Sequence, residues 1–412
     1  MVALIRPMSL GRDRGWLGRG VHSSAQVHAL RNSLSARPQV DVPLVHATVE
    51  FKSERLYTLD GKPAPSPWGP HDGHHKTSDG YVRVHDSFSN HGYGTLELVG
   101  LSKNATREEL SKQIACWACI DLESVSTAEG KLPQSRAISN FPININPIVP
   151  STPIEMSRVI AAPLCSKTLA AHGVIWITSP KLSDLPTIDR DFSRGKRTVH
   201  IDIHNPADKT RLLELLHTAD VFVQELCLGA LASYGLSIEN IIKIRPFIII
   251  ANMSAFGPRG PRSGRQRFDS LVLTCSGMNI SEAEYAGTGA VAPPIPCQAL
   301  DHAGGYLLAA GVIAAVYRRA MASGDTGAWR VNVSLAGIMK YLRSLGRYAG
   351  ATGFVAIRDY ENPSDVSPEF FEPRDTGFGP MQAIRHSAII EGVRVGWDIM
   401  PKPLGLDKAE WL

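Results

Sequence analysis

The chain has 412 residues, 43% of them apolar and 20% charged, with a formal net charge of +4. That is length enough for two domains with substantial cores, and the composition is that of an ordinary folded globular protein. So small and dispersed a positive surplus excludes a nucleic-acid-binding surface, although it suits an anionic small molecule. Six cysteines and the lack of a secretory signal point to a reducing, cytoplasmic setting.

Taken in order, residues 1–38 carry Arg6, Arg12, Arg14, Arg19, Arg31 and Arg37 against a single acid, Asp13. An Arg-rich, Ser-containing, acid-poor start is also the makeup of a mitochondrial transit peptide, with an irregular variable segment as the competing reading. Residues 39–44 (QVDVPL) then alternate in polarity and lead to 51–57 (FKSERLY). The same grammar recurs without a gap at 330–335 (RVNVSL) and 342–348 (LRSLGRY). Each reads as a strand running into a helix, which marks 39–130 as a partial first copy of an element that occurs again later.

Within that copy, Asp79-Gly80 is a tight-turn signal before the short strand Tyr81 to Val84, and Thr106 with Glu109 makes a capping box. Cys116 and Cys119 form a C-x-x-C inside a stretch that reads as one amphipathic helix, so core packing is expected rather than a metal or redox site. His71, His74 and His75 lie among turn residues with no carboxylate at ligand spacing and read as a solvated loop; no metal is expected. Five prolines between Pro133 and Pro153 make 131–156 a linker.

Residues 157–350 form the core and 351–412 a tail. Strands are predicted at Thr198–Ile203, Ala219–Val223 and Phe247–Ala251, with a helix capped by Asn205-Pro206 between the first two. This alternation predicts a Rossmann-like parallel sheet, an α/β fold accompanied by a smaller α+β domain. The run Ala303–Tyr317 holds no charged residue and many small ones, and stops at Arg318 and Arg319. It reads as a helix buried nearly all round, short of the ~20 apolar residues of a membrane span. Asp301 stands at its N-terminal end, where the carboxylate is either a cap or a working group that the helix dipole keeps ionised and nucleophilic.

Several segments around Asp301 are similar to motifs of the class III CoA-transferases, also called the carnitine dehydratase/bile-acid-inducible family. Ser254 to Pro261 resembles the family's S-x-x-G-x-x-G-P loop, and Arg194 to Arg197 its K-R-S strand. Phe268 to Leu271 is similar to its Y/F-D-x-L segment, and Arg158 to Pro163 with Leu169 to Gly173 to its opening element. The pieces resemble a family member in rearranged, partly duplicated order, with the tail resembling the family's close.

The resemblance implies that Asp301 is the catalytic nucleophile of an acyl-CoA-dependent enzyme. Coenzyme A is then a cosubstrate rather than a bound cofactor, and the partners are an acyl-CoA and a carboxylic acid. A homodimer is also implied, and no membrane. CoA contacts are expected from Lys196, Arg197, Glu225, Leu226, Ser254 and Gly257, with Lys196 and Arg197 on phosphate. Glu225 replaces the family's Asn, Leu226 an aromatic, and Ser233 an Arg, so a new negative charge is expected beside a polyanion. CoA transfer through an aspartyl anhydride is the main expectation. An acyl-CoA racemase, isomerase or dehydratase is the alternative, although the racemase His position falls on Phe268; a catalytically inactive homologue is the third. Oxyanion donors are expected at Ser254–Gly257 or Gly304-Gly305, unless the glycines serve packing, and His172 is expected to be packed.

Overall fold

The structure is a computed structural model that describes residues 16–129, 152–170, 173–225, 230–265, 268–289, 297–322, 327–346 and 359–411. Residues 1–15 of the Arg-rich segment, most of the Pro-rich linker, His172 and Leu226 lie outside these. Helix α1 (Trp16–Arg31) comes first, with Ala25 and Val27 buried. Strand β1 (Val40–Asp41) runs into α2 (Leu44–Glu50), and β2 (Thr58–Leu59), β3 (Lys62–Pro63), β4 (Gly73–Lys76) and β5 (Tyr81–Val84) follow. Helices α3 (Ser89–Leu98), α4 (Arg107–Ile114) and α5 (Cys119–Glu129) close this half.

The core alternates β6 (Pro153–Met156), α6 (Ala161–Thr168), β7 (Ile175–Thr178), α7 (Pro186–Phe192), β8 (Arg197–His200), α8 (Pro206–Thr218), β9 (Val221–Gln224), α9 (Ile238–Ile244) and β10 (Ile249–Ser254). Helices α10 (Asp269–Cys275), α11 (Met278–Ala286) and α12 (Ala299–Met321) then lead to β11 (Trp329–Ser334) and α13 (Leu335–Ser344). The tail adds β12 (Phe371–Thr376), β13 (Gly379–Ile384) and β14 (Ile389–Ile390).

The six core strands are all parallel, in the order β11-β10-β9-β6-β7-β8. Numbered from the first core strand, this is the 3-2-1-4-5-6 order of the doubly wound dinucleotide-binding fold. Alternate strand residues face opposite layers. Phe222, Ile248 and Ile250 pack with Leu212 and Leu216 of α8, while Val221, Val223, Ile249 and Ala251 pack with α6 and α12. In such a sheet each helix starts at the C-terminal edge of the strands. The first residues of α6 and α12, the Ser254–Gly257 turn and Glu225 therefore share one edge, and ligands of open α/β sheets bind there, at the switch in strand order. The switch here falls between β6 and β9.

Local signals hold where the sequence pattern is local. Thr106 and Glu109 form the capping box of α4, Asn205 Oδ1 accepts the Ala207 N–H at the start of α8, and β4 and β5 form the hairpin around Asp79-Gly80. Both repeated segments are a strand feeding a helix, but they sit differently. β11 is the edge of the parallel sheet, whereas β1 pairs antiparallel with β14 in the tail. Pro43 stands where the second copy has Ser334. Ser334 Oγ caps α13 by accepting the Gly337 N–H, while proline offers neither a cap nor a ladder donor.

Two expectations are corrected. The C-x-x-C stretch breaks into α4 and α5, leaving Cys116 exposed and Cys119 at the start of α5, outside any core. His71 and His75 are buried rather than solvated; His75 Nδ1 lies 2.8 Å from Ser111 Oγ and its Nε2 2.9 Å from the His71 carbonyl. Helix α12, at 23 residues, is longer than the charge-free run and passes a length-and-hydropathy test for a membrane span. Seventy-eight per cent of its most apolar window is buried in protein, which accounts for its composition as a core helix.

Candidate active site

Asp301 is the third residue of α12 and is 6% exposed. It does not cap its own helix. The cap comes from Asp269, the first residue of α10, whose Oδ2 accepts the N–H groups of Leu300 at 2.6 Å and Asp301 at 3.1 Å. Asp269 Oδ1 is buried without a hydrogen-bond partner. On the next helical position His302, fully buried, faces Glu54 at 3.0 Å.

These neighbours work against the expected ionised carboxylate. Burial, then the charges of Asp269, Glu225 and Glu54, hold the Asp301 carboxyl well above the usual carboxylate range. The half-charge of a helix N-terminus is worth ~1 kcal/mol, and Asp269 already occupies two of its N–H groups, so desolvation and three acids win. Asp269 is itself pushed up to about 7 by burial, against the two N–H bonds it accepts. The ionised form that a nucleophile needs is therefore disfavoured at Asp301.

Glu225 follows β9 directly, and its Oε2 accepts the Ala162 N–H of α6 at 3.3 Å. Burial, reinforced by the charge of Glu155, pushes its carboxyl up to about 8. The expected extra negative charge is thus weakened near neutral pH, where residue 225 favours its protonated form.

Lys196 and Arg197 are not placed to grip phosphate. Lys196 Nζ is fully buried, 2.8 Å from Glu155 Oε2 and 2.8 Å from the Pro163 carbonyl. An ammonium taken out of water needs such a counter-charge, which leaves none of its charge for a ligand. Arg197 donates to the carbonyls of Lys408 and Glu410, and so fastens the tail to β8. Ser254 ends β10 with its Oγ 3.4 Å from the Val333 carbonyl, and Gly257 turns the chain at φ +80°, a conformation favoured only by glycine. Gly304 and Gly305 serve packing: a Cβ on Gly305 would lie 2.6 Å from the Ala161 carbonyl oxygen, so glycine is what lets α12 approach α6.

A cavity of about 290 Å³ opens at the same sheet edge, beyond the ends of β6, β7 and β8. Its walls include Phe88, Met156, Arg158, Lys181, His204 and Tyr234. The Arg158 guanidinium lies 4.7 Å above the Phe88 ring, and His204 meets Tyr234 edge-on at 5.1 Å. Lys181 is 65% exposed at the rim and pairs with Asp202 at 2.6 Å. Apart from Arg158, which opens a family-like motif, motif reading missed these residues, because they carry no local pattern that marks a binding wall. Asp301 is not among the cavity's lining residues. From the cavity, Phe88 continues to Phe268, next to Asp269, with ring centroids 6.3 Å apart. His85 stacks on Phe268 at 4.0 Å, and burial pushes this imidazole down to about 3.

A doubly wound parallel sheet with a buried carboxyl group and a cavity on its carboxyl edge defines an α/β protein of the Rossmann-like class. The family follows from comparison: a model described as CoA-transferase family III matches residues 152–359, half of the chain, and the chain belongs to that family. Over 182 residues it is 31% identical to a formyl-CoA:oxalate CoA-transferase of Rhodopseudomonas palustris, covering 40% of this chain and 41% of that protein. Over 191 residues it is 29% identical to the probable fatty acyl-CoA transferase Rv3272 of Mycobacterium tuberculosis, covering 41% and 48%. The chain spans about half or less of the length of the curated relatives it matches. Among solved structures it resembles Rv3272 with a TM-score of 0.42 at 25% identity, covering 50% of this chain and 58% of that one. A CAIB/BAIF family protein from Brucella suis gives 0.41 at 20% identity, covering 57% and 65%.

Proposed function

We propose that the chain transfers CoA from an acyl-CoA to a carboxylic acid, with Asp301 as nucleophile. The observation that carries this is the Asp301 carboxyl, seated in the first turn of a core helix at the carboxyl edge of a 3-2-1-4-5-6 sheet. The cavity at the same sheet edge takes the nucleotide end of CoA, with His204 and Tyr234 against the base and Lys181 at the rim for phosphate. Protonated Glu225 lets the polyanion pass the switch point with little charge repulsion.

In the first step Asp301 gives up its proton to solvent, its carboxylate oxygen attacks the thioester carbonyl, the C–S bond breaks, and CoA leaves as thiolate while a mixed anhydride forms. Thiolate then attacks the aspartyl carbonyl and frees the first acid. The acceptor carboxylate attacks the aspartyl thioester and expels thiolate again. Attack of thiolate on the acceptor's carbonyl releases the new acyl-CoA and restores Asp301. Atoms and charge balance across the cycle without a metal or redox partner. Proton-moving chemistry with His85 as base is disfavoured, because burial pushes that imidazole down to about 3; an isomerase or dehydratase with Asp301 as base is the alternative reading.

The test is trapping. Protein incubated with a panel of radiolabelled acyl-CoA esters and then hydroxylamine is expected to carry a hydroxamate at Asp301, and none in Asp301→Ala. α-Deuterium exchange without an adduct would move the reading to an isomerase. Neither signal, with no heat of CoA binding, would mark an inactive homologue.

A further inference from the structure

Residues 49–57 lie outside the family-matched stretch, yet Ser53, Glu54 and Tyr57 reach the core that carries Asp301, while Glu50 reaches the tail. Glu50 accepts from Ser387, Ser53 donates to Asp191, and Tyr57 donates to the Thr187 carbonyl. Glu54, 1% exposed, points at the one imidazole in the first turns of α12. We propose that Glu54 is a positioning residue for the reaction, fixing the rotation of the α12 N-terminus through His302 and thereby the aim of the Asp301 carboxyl.

Two buried residues 248 positions apart meet at 3.0 Å, Glu54 Oε2 to His302 Nε2. Phe51, from the same segment, stacks on the His302 ring at 5.4 Å, and Phe192 closes its other side at 6.1 Å. The ring is held by one polar contact and two aromatic ones, while its Nδ1 makes no hydrogen bond. Successive helical residues are about 100° apart, so a clamp on position 302 sets where position 301 points. Asp269 fixes the same turn along the helix axis through its N–H groups, whereas Glu54 fixes it about that axis.

Glu54 also belongs to the charge around Asp301. The groups that face Asp301 are Asp269 from α10, Glu225 from the end of β9 and Glu54 from the segment after α2. Glu54 is faced in turn by His302 and by Arg55, whose Nε lies 3.4 Å from its Oε1. His302 offsets the burial cost of the Glu54 carboxylate and keeps it in the charged form.

This inference rests on Asp301 being the nucleophile, and the experiment separates the two. Glu54→Ala is expected to lower kcat about tenfold or more with KM for acyl-CoA little changed, the pattern of lost aim rather than lost binding. Glu54→Gln still accepts from His302 and is expected to restore kcat to within about threefold, while its acid limb moves to lower pH by about half a unit, because one negative charge near Asp301 is gone. If Glu54→Ala does not fold, Glu54→Asp replaces it: the shorter arm withdraws from the ring and is expected to lower kcat when assayed at a temperature where the variant is fully folded. A wild type that forms the Asp301 adduct while folded Glu54 variants match it in kcat and in acid limb overturns this inference alone. If wild type forms no adduct, the transfer reading falls, and the pH midpoint of carbodiimide labelling at Asp301 decides: lower in Glu54→Gln supports the coupling, identical overturns it.

Discussion

At the residue scale, the decisive quantity is the cost of charge out of water. Glu225, with a carboxyl pushed up to about 8, keeps a proton in the folded state that the unfolded chain releases near pH 4.5. The folded state binds more protons across that window, so this group's contribution to stability is intact below pH 4.5, falls as pH rises and is lost above 8. Glu225→Gln keeps an acceptor for the Ala162 N–H and cannot ionise. It is expected to be more stable than wild type above pH 8 by up to ~5 kcal/mol (~3.5 pH units at ~1.4 kcal/mol each), with a gain that shrinks toward zero at pH 4.5. Asp189 and Asp269, both pushed up to about 7, bend the curves of both proteins alike and cancel in the difference. Melting curves from pH 4.5 to 9 check this; a difference that does not vary with pH would mean that Glu225 is ionised throughout. Lys196 teaches the same lesson with the opposite sign, since its charge survives burial only because Glu155 lies 2.8 Å away.

At the scale of elements, α12 is where the sequence was most and least informative. Its existence, its burial and Asp301 at its start were legible, because an uncharged run ending in two arginines is a local pattern. What holds its first turn was not. Asp269 is 31 positions from Leu300, and an acid at the start of one helix carries no local sign that it caps another. The same limit hid the Lys196–Glu155 pair, 41 positions apart, so that a buried structural lysine read as a phosphate ligand. The cap can be tested. Asp269→Ala strands two buried N–H groups and is expected to cost about 1–2 kcal/mol, while Asp269→Asn keeps an acceptor and costs less than half of that. Hydrogen exchange should quicken at Leu300 and Asp301 in the alanine variant and stay slow in the asparagine one. Unchanged exchange at both amides would show that the turn is held by packing alone.

At the scale of the whole molecule, a parallel sheet was foreseeable from strand–helix alternation, but its strand order and the use made of residues 39–129 were not. The repeat suggested a partial copy beside a complete core, whereas β1 pairs with β14, β2 adds to β13, and Glu54 reaches into α12. Removing 39–129 would leave His302 without Glu54 and Asp191 without Ser53. It would also strip Phe51 from the apolar cluster that contains Ala303, Tyr306 and Leu308. A lost aromatic from a packed core costs about 3–5 kcal/mol, and a buried charge deprived of a partner costs a similar amount. Together these approach the ~5–15 kcal/mol that holds a typical protein folded. Residues 152–411 expressed alone are therefore expected to melt without a cooperative transition and to bind a hydrophobic dye, while the full chain melts sharply. If the shortened chain melted cooperatively within a few degrees of the full one, the first half would be an appendage to the core. The conclusion would then be that α12 carries its own stability, and that Glu54 meets His302 as a consequence of the fold rather than as one of its supports.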